Sequence, residues 1–165
     1  MNELARALIG SSAFAPAKNI LQAIPETAAL ERPFAAPRSI YEEVWHMAFW
    51  QEMSLDWMQG KPTPYPEHSA GGFPPDTSEG TSEPWEHLCE RFLAGANNAA
   101  AIANDTERLE MIVHCPTNPE RRPPDMTVRD QLESLAAHNA YHLGRVVLLR
   151  QLQGIWPPPG GGDTW

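Results

Sequence analysis

At 165 residues the chain fits one domain, residues 1–165, long enough to bury a core without disulfide or metal staples. A net charge of −9 and the lack of a basic stripe argue against nucleic acid and anionic membranes as partners, and no run approaches the roughly 20 apolar residues of a membrane-spanning helix. Cys89 and Cys115 form no CxxC, and MNELARALIG lacks a basic segment followed by a long apolar run, so reduced thiols and a cytoplasmic protein are expected.

The seventeen prolines and eleven glycines cluster at 33–37, 60–84, 115–124 and in the tail WPPPGGGDTW, leaving segments of helical rather than alternating period between them. No strand is expected. The first segment runs from about Asn2 to Ala23, with Leu4, Leu8, Ile20 and Leu21 apolar, and Pro16 should kink or break it. The second, Ser39 to Gln59, opens with Ser39 and Glu42 at capping spacing and closes at Gly60 and Pro62. Ile40, Val44, Met47, Gln51, Leu55 and Met58 trace one line along it, and His46, Phe49, Trp50, Met53 and Trp57 trace an adjacent one.

The third segment should start near Ser82, with Pro84 in its first turn. Trp85, Leu88, Cys89, Phe92, Ala96, Ala99, Ala100 and Ala103 follow the helical period, and the helix should fade near Asn104–Thr106. The fourth, Thr127 to Gln153, has Thr127 and Asp130 as a variant capping box and ends at Gly154 and Pro157. Val128, Leu132, Leu135, Asn139, His142, Val146, Leu149 and Gln153 line one face. The pattern predicts an all-α, antiparallel four-helix bundle with a long 60–83 loop between the second and third helices. Within that loop, 64–75 reads as a connector or as a lid.

Of six histidines, His138 and His142 in AAHNAYHLG carry the most information. At i and i+4 they share a helix face, with Cβ atoms about 6 Å apart. Two such imidazoles can bind one ion from adjacent corners of its shell, with bonds of about 2.0–2.1 Å for zinc. His46, set among Val44, Met47, Phe49 and Trp50, is the candidate third ligand, since a buried imidazole there needs a polar partner. The competing reading has all three as core histidines satisfied by water or backbone. His68, His87 and the adjacent His114–Cys115 are weaker candidates. Glu42, Glu43 and Glu133 stand near enough in sequence to orient an imidazole, or else are solvated surface carboxylates. Asn139 and Tyr141 flank the ligands and could touch substrate or a partner, or simply pack, and Trp50 or Trp57 could wall a pocket above the site.

DQLESLAAHNAYHLGRVVLLRQLQGIWPPPGGGDTW resembles the last helix and tail of DinB-like (YfiT-like) metalloenzymes, and SIYEEVWHMAFWQEMSLDWMQG is similar to the family helix bearing the first metal histidine. The resemblance implies a four-helix bundle in up-down-down-up order, with nickel or zinc on His46, His138 and His142 and water in the remaining positions. It also implies a homodimer and, among relatives with known activity, transfer reactions that use low-molecular-weight thiols. Where such relatives often carry a first-helix histidine this chain reads GSSAFAP, with Phe14 at that place.

Three histidines with open positions are the layout of a catalytic centre, so the chain is expected to be a metal-dependent hydrolase or a thiol (S-)transferase acting on a small molecule. The alternatives are a non-catalytic, metal-stabilised dimeric bundle serving as a stress or binding module, and a plain bundle with buried histidines. Nitrogen-only ligation suits zinc, nickel, copper or iron about equally.

Overall fold

The computed structural model describes residues 1–75, 83–113, 116 and 126–162. Six α-helices lie among these residues: α1 Glu3–Ile9, α2 Ala17–Ile20, α3 Glu26–Leu30, α4 Ile40–Met58, α5 Trp85–Ala103 and α6 Val128–Leu152. A two-stranded antiparallel pair joins β1, Ile112–Val113, to β2, Met126–Thr127.

The ends of α4 and α6 follow from their caps. Ser39 accepts from the Glu42 backbone N–H, while the Glu42 carboxylate accepts from the Ser39 N–H at 2.8 Å. Thr127 and Asp130 form the same reciprocal pair at the start of α6, the aspartate taking the place of the usual glutamate. α4 yields at Gln59 to Gly60, whose φ of 79° is the left-handed turn that ends a helix. α5 begins one residue after Pro84, which sits at its N-cap rather than inside its first turn. Ser82, proposed as its start, lies outside the described residues.

Two expectations need correction. The first segment, expected from Asn2 to Ala23 with its break at Pro16, holds two short helices: Gly10, at φ 74°, closes α1 with its N–H on the Ala7 and Arg6 carbonyls, α2 restarts behind Pro16, and α3 follows behind Pro25, beyond the expected end. Pro16 does break the segment, but the chain has already left the helix six residues earlier. The absence of strand is also overturned by β1 and β2, which at two residues each are too short to show any alternation.

α4 packs against both α5 and α6, while α1 lies against α5 and α6. The apolar interior is in two clusters. One gathers Ile20, Ile40, Val44, Met47, Trp85, Leu88, Phe92, Leu143 and Val146; the other gathers Leu8, Met53, Leu55, Ala99, Ile102, Leu132 and Leu135. α4 and α5 therefore run from the first cluster into the second, and α6 runs back. Between the clusters α4 contributes Gln51, and α6 contributes Asn139 and His142, all buried. A polar layer thus lies between the two apolar clusters. The tail docks on α2: the Gly160 N–H donates to Gln22 Oε1 at 2.7 Å, and Asn19 Nδ2 donates to the Gly160 carbonyl at 2.9 Å.

Candidate metal centre

α4 presents His46, and successive turns of α6 present His138 and His142, to one point. Their candidate ligand nitrogens all lie within 4.8 Å of one another, and His46 Nε2 stands 3.1 Å from His138 Nε2. Two nitrogens on a tetrahedral zinc would be about 3.3 Å apart, given bonds near 2.05 Å. His142 is buried and the other two are half-buried.

His142 Nδ1 donates to Glu43 Oε2 at 2.6 Å. Glu43 has no exposed side-chain surface, and its Oε1 lies 2.9 Å from Arg145 Nη2, an ion pair without the alignment of a hydrogen bond. A carboxylate only accepts, so the proton stays on Nδ1 and the Nε2 lone pair turns to the site. His46 is held in the same sense by backbone. Its Nδ1 donates to the Gly72 carbonyl at 2.6 Å, and the Phe73 ring stacks on it at 4.2 Å and 14°. Gly72 is needed there, since a Cβ would come within 2.9 Å of Trp50 Nε1.

Burial pushes the His46 imidazole below its ordinary range, against the opposing pull of the Gly72 carbonyl. Burial, reinforced by the neighbouring His142, pushes His138 down to about 4. Both are therefore neutral at pH 7, the form in which an imidazole ligates. The donor set fits a divalent ion that accepts nitrogen, such as zinc, nickel, copper or iron.

The three histidines named from the sequence are thus brought together. Glu43 joins them, but it orients His142 on the facing helix rather than His46 on its own. Glu42 instead pairs with Arg32 and Arg38, and Glu133 is exposed. Tyr141 is 63% exposed, its ring perpendicular to that of His142 with the centroids 5.0 Å apart. Trp50 stands edge-on to His46 at 6.2 Å, and Tyr65 reaches Trp57 at 4.8 Å, so the 61–75 segment packs onto the site side of α4. His68 and His87 are exposed, and His114–Cys115 lies outside the described residues. The Gly72 carbonyl and Phe73 were not found from the sequence, where a Gly-Gly-Phe run in a loop carries no metal-site pattern. No helix of the described residues is long and apolar enough to cross a membrane.

A mostly helical body brings three imidazoles from two helices together in a group that could hold a divalent cation. A family model described as the DinB superfamily matches residues 16–146, and the chain belongs to that superfamily. The match spans all three histidines and begins after Phe14. No curated protein matches the chain.

Proposed function

We propose that this chain is a metal-dependent enzyme of the DinB superfamily, a hydrolase or thiol (S-)transferase whose divalent ion, nickel or zinc, is held by His46, His138 and His142. The observation that carries this reading is the grouping of the three ligand nitrogens within 4.8 Å, two of them with their Nδ1 protons fixed on acceptors. When bound, such an ion supplies Lewis acidity towards a water, a thiol or a carbonyl. The chain's own part is to keep His46 and His138 neutral by burial, to aim His142 through Glu43 and His46 through Gly72, and to shield one side of His46 with Phe73. The substrate in this reading is a small molecule or low-molecular-weight thiol, with neither nucleic acid nor membrane as partner, and the protein is a cytoplasmic homodimer.

The architecture in this proposal is one domain, a four-helix bundle in up-down-down-up order. Its support is the direction of travel: the N-terminal segment passes from the Leu8 cluster to the Ile20 cluster, α4 and α5 go the opposite way, and α6 returns.

Metal content by plasma mass spectrometry on untagged protein, with His46→Ala and His138→Ala alongside, tests the site. About one nickel or zinc per chain, lost in both variants, is the expected result. Protein that folds and takes up no metal on titration refutes it. In a cobalt-loaded sample, a spectral shift with azide or a thiol separates an open, reactive centre from a closed structural one.

A further inference from the structure

His138 differs from the other two histidines in what holds it. Its Nδ1 faces Asn139 Oδ1 at 3.3 Å, and an amide, unlike a carboxylate or a carbonyl, could turn either way. The orientation decides the site. If His138 carried its proton on Nε2, it would donate to His46 Nε2, 3.1 Å away, and the two rings would form an ordinary hydrogen-bonded pair.

The amide orientation is set further back. The Phe92 carbonyl on α5 can only accept, so the Gln51 atom 2.8 Å from it is the amide nitrogen. Gln51 Oε1 then faces Asn139, and Asn139 must meet it with Nδ2, at 3.2 Å. That leaves Asn139 Oδ1 towards His138, and an oxygen without a proton requires the proton on His138 Nδ1. Gln51 and Asn139 are 0% and 2% exposed, so no solvent competes for these bonds. Gly95 completes the arrangement, because a Cβ there would collide with Gln51 Nε2.

We infer that Gln51 and Asn139 are positioning residues: the relay from the Phe92 carbonyl through both amides holds His138 with its Nε2 lone pair facing that of His46, an arrangement that calls for a shared cation. The inference rests on the metal reading above. It also assigns a purpose to two buried amides that packing alone does not require.

Zinc titration against a chromophoric competitor, on metal-free untagged protein, tests it with Asn139→Leu and Gly95→Ala. Each should weaken zinc binding by about 10–100-fold, the usual effect of losing a partner that orients a ligand. Gly95→Ala touches no histidine and favours helix at its own position, so it answers the question if Asn139→Leu fails to fold by circular dichroism. Two-bond 1H–15N NMR of the metal-free protein should find the His138 proton on Nδ1. Folded variants that bind zinc as tightly as the wild type, or a wild-type His138 protonated on Nε2, overturn the relay and leave the metal reading standing. Wild-type protein that takes up no zinc removes the metal reading, and the inference with it.

Discussion

Replacing Glu43 by glutamine should act in opposite directions on the metal-loaded and metal-free protein. The side chain is fully buried, 2.6 Å from His142 Nδ1 and 2.9 Å from Arg145 Nη2. Glutamine keeps the shape and one acceptor oxygen but removes the charge. A charge-assisted hydrogen bond is about twice as strong as a neutral one, and loss of such a partner lowers metal affinity by about 10–100-fold, or about 1.4–2.7 kcal/mol. In the metal-free protein the same carboxylate is a cost. Its desolvation opposes folding by several kcal/mol; Arg145, with a side chain 34% exposed, offsets about 1 kcal/mol of that at most, and the bond to His142, which offsets more, is kept in part by the glutamine oxygen. The metal-free variant should therefore unfold at the same or a higher urea concentration than the wild type. At zinc 100 times the wild-type Kd, binding stabilises the wild type by about 2.7 kcal/mol but a 100-fold weaker variant by only about 0.4 kcal/mol. Urea unfolding with and without zinc measures both quantities. A variant that gains as much from zinc as the wild type, or one that is markedly less stable without metal, would refute the role assigned to this carboxylate.

Without metal, His46 and His138 bind protons less readily when folded, His138 only near pH 4, than in the unfolded chain, where histidine titrates near about 6.5. The unfolded state thus holds more protons between these limits, and stability should be complete above about pH 6.5 and fall as the pH drops towards 4. Urea midpoints that stay level from pH 7 to pH 5 would contradict this. Burial, aided by Glu86 and Glu90, raises the Cys89 thiol to about 12. At pH 8 its thiolate fraction is then about 10⁻⁴, against about a quarter for an ordinary thiol, so peptide mapping after brief iodoacetamide treatment should find Cys89 labelled only in denatured protein. Ser39→Ala removes half of the α4 capping box and should cost about 1 kcal/mol in urea unfolding; no change would mean that the helix start is held by packing alone.

The parts legible in the sequence are those fixed by local spacing. Ser39 with Glu42, and Thr127 with Asp130, mark helix starts because the bonds they make close within one turn. His138 and His142 share a face for the same reason, and His46 stood out because an imidazole among Val44, Met47 and Phe49 needs a partner. What escaped depends on how distant segments meet. Glu43 stands one turn from His46, yet the rotation of α4 against α6 sends its carboxylate to His142. The bond to His46 comes from a backbone carbonyl, Gly72, which side-chain chemistry does not announce. Gln51 was visible as a polar residue on an apolar line, but its partners, Phe92 and Asn139, lie on two other helices. The break at Gly10 hinges on one left-handed residue, which periodicity does not register.

The polar layer between the two apolar clusters also limits which alignments of α4 and α6 the chain can adopt. Aliphatic side chains on either side would tolerate a slide of one turn, about 5.4 Å, because one oily contact replaces another at little loss. Gln51, Asn139, Glu43 and His142 would not. Displaced by a turn, each would be buried opposite a hydrocarbon surface, at about 1–3 kcal/mol for every unmatched neutral group and more for the carboxylate. Summed over the layer, that approaches the whole stability of a domain this size. The residues that gather the imidazoles therefore also act as a ruler, discarding misaligned packings of the two helices whether or not a metal is bound.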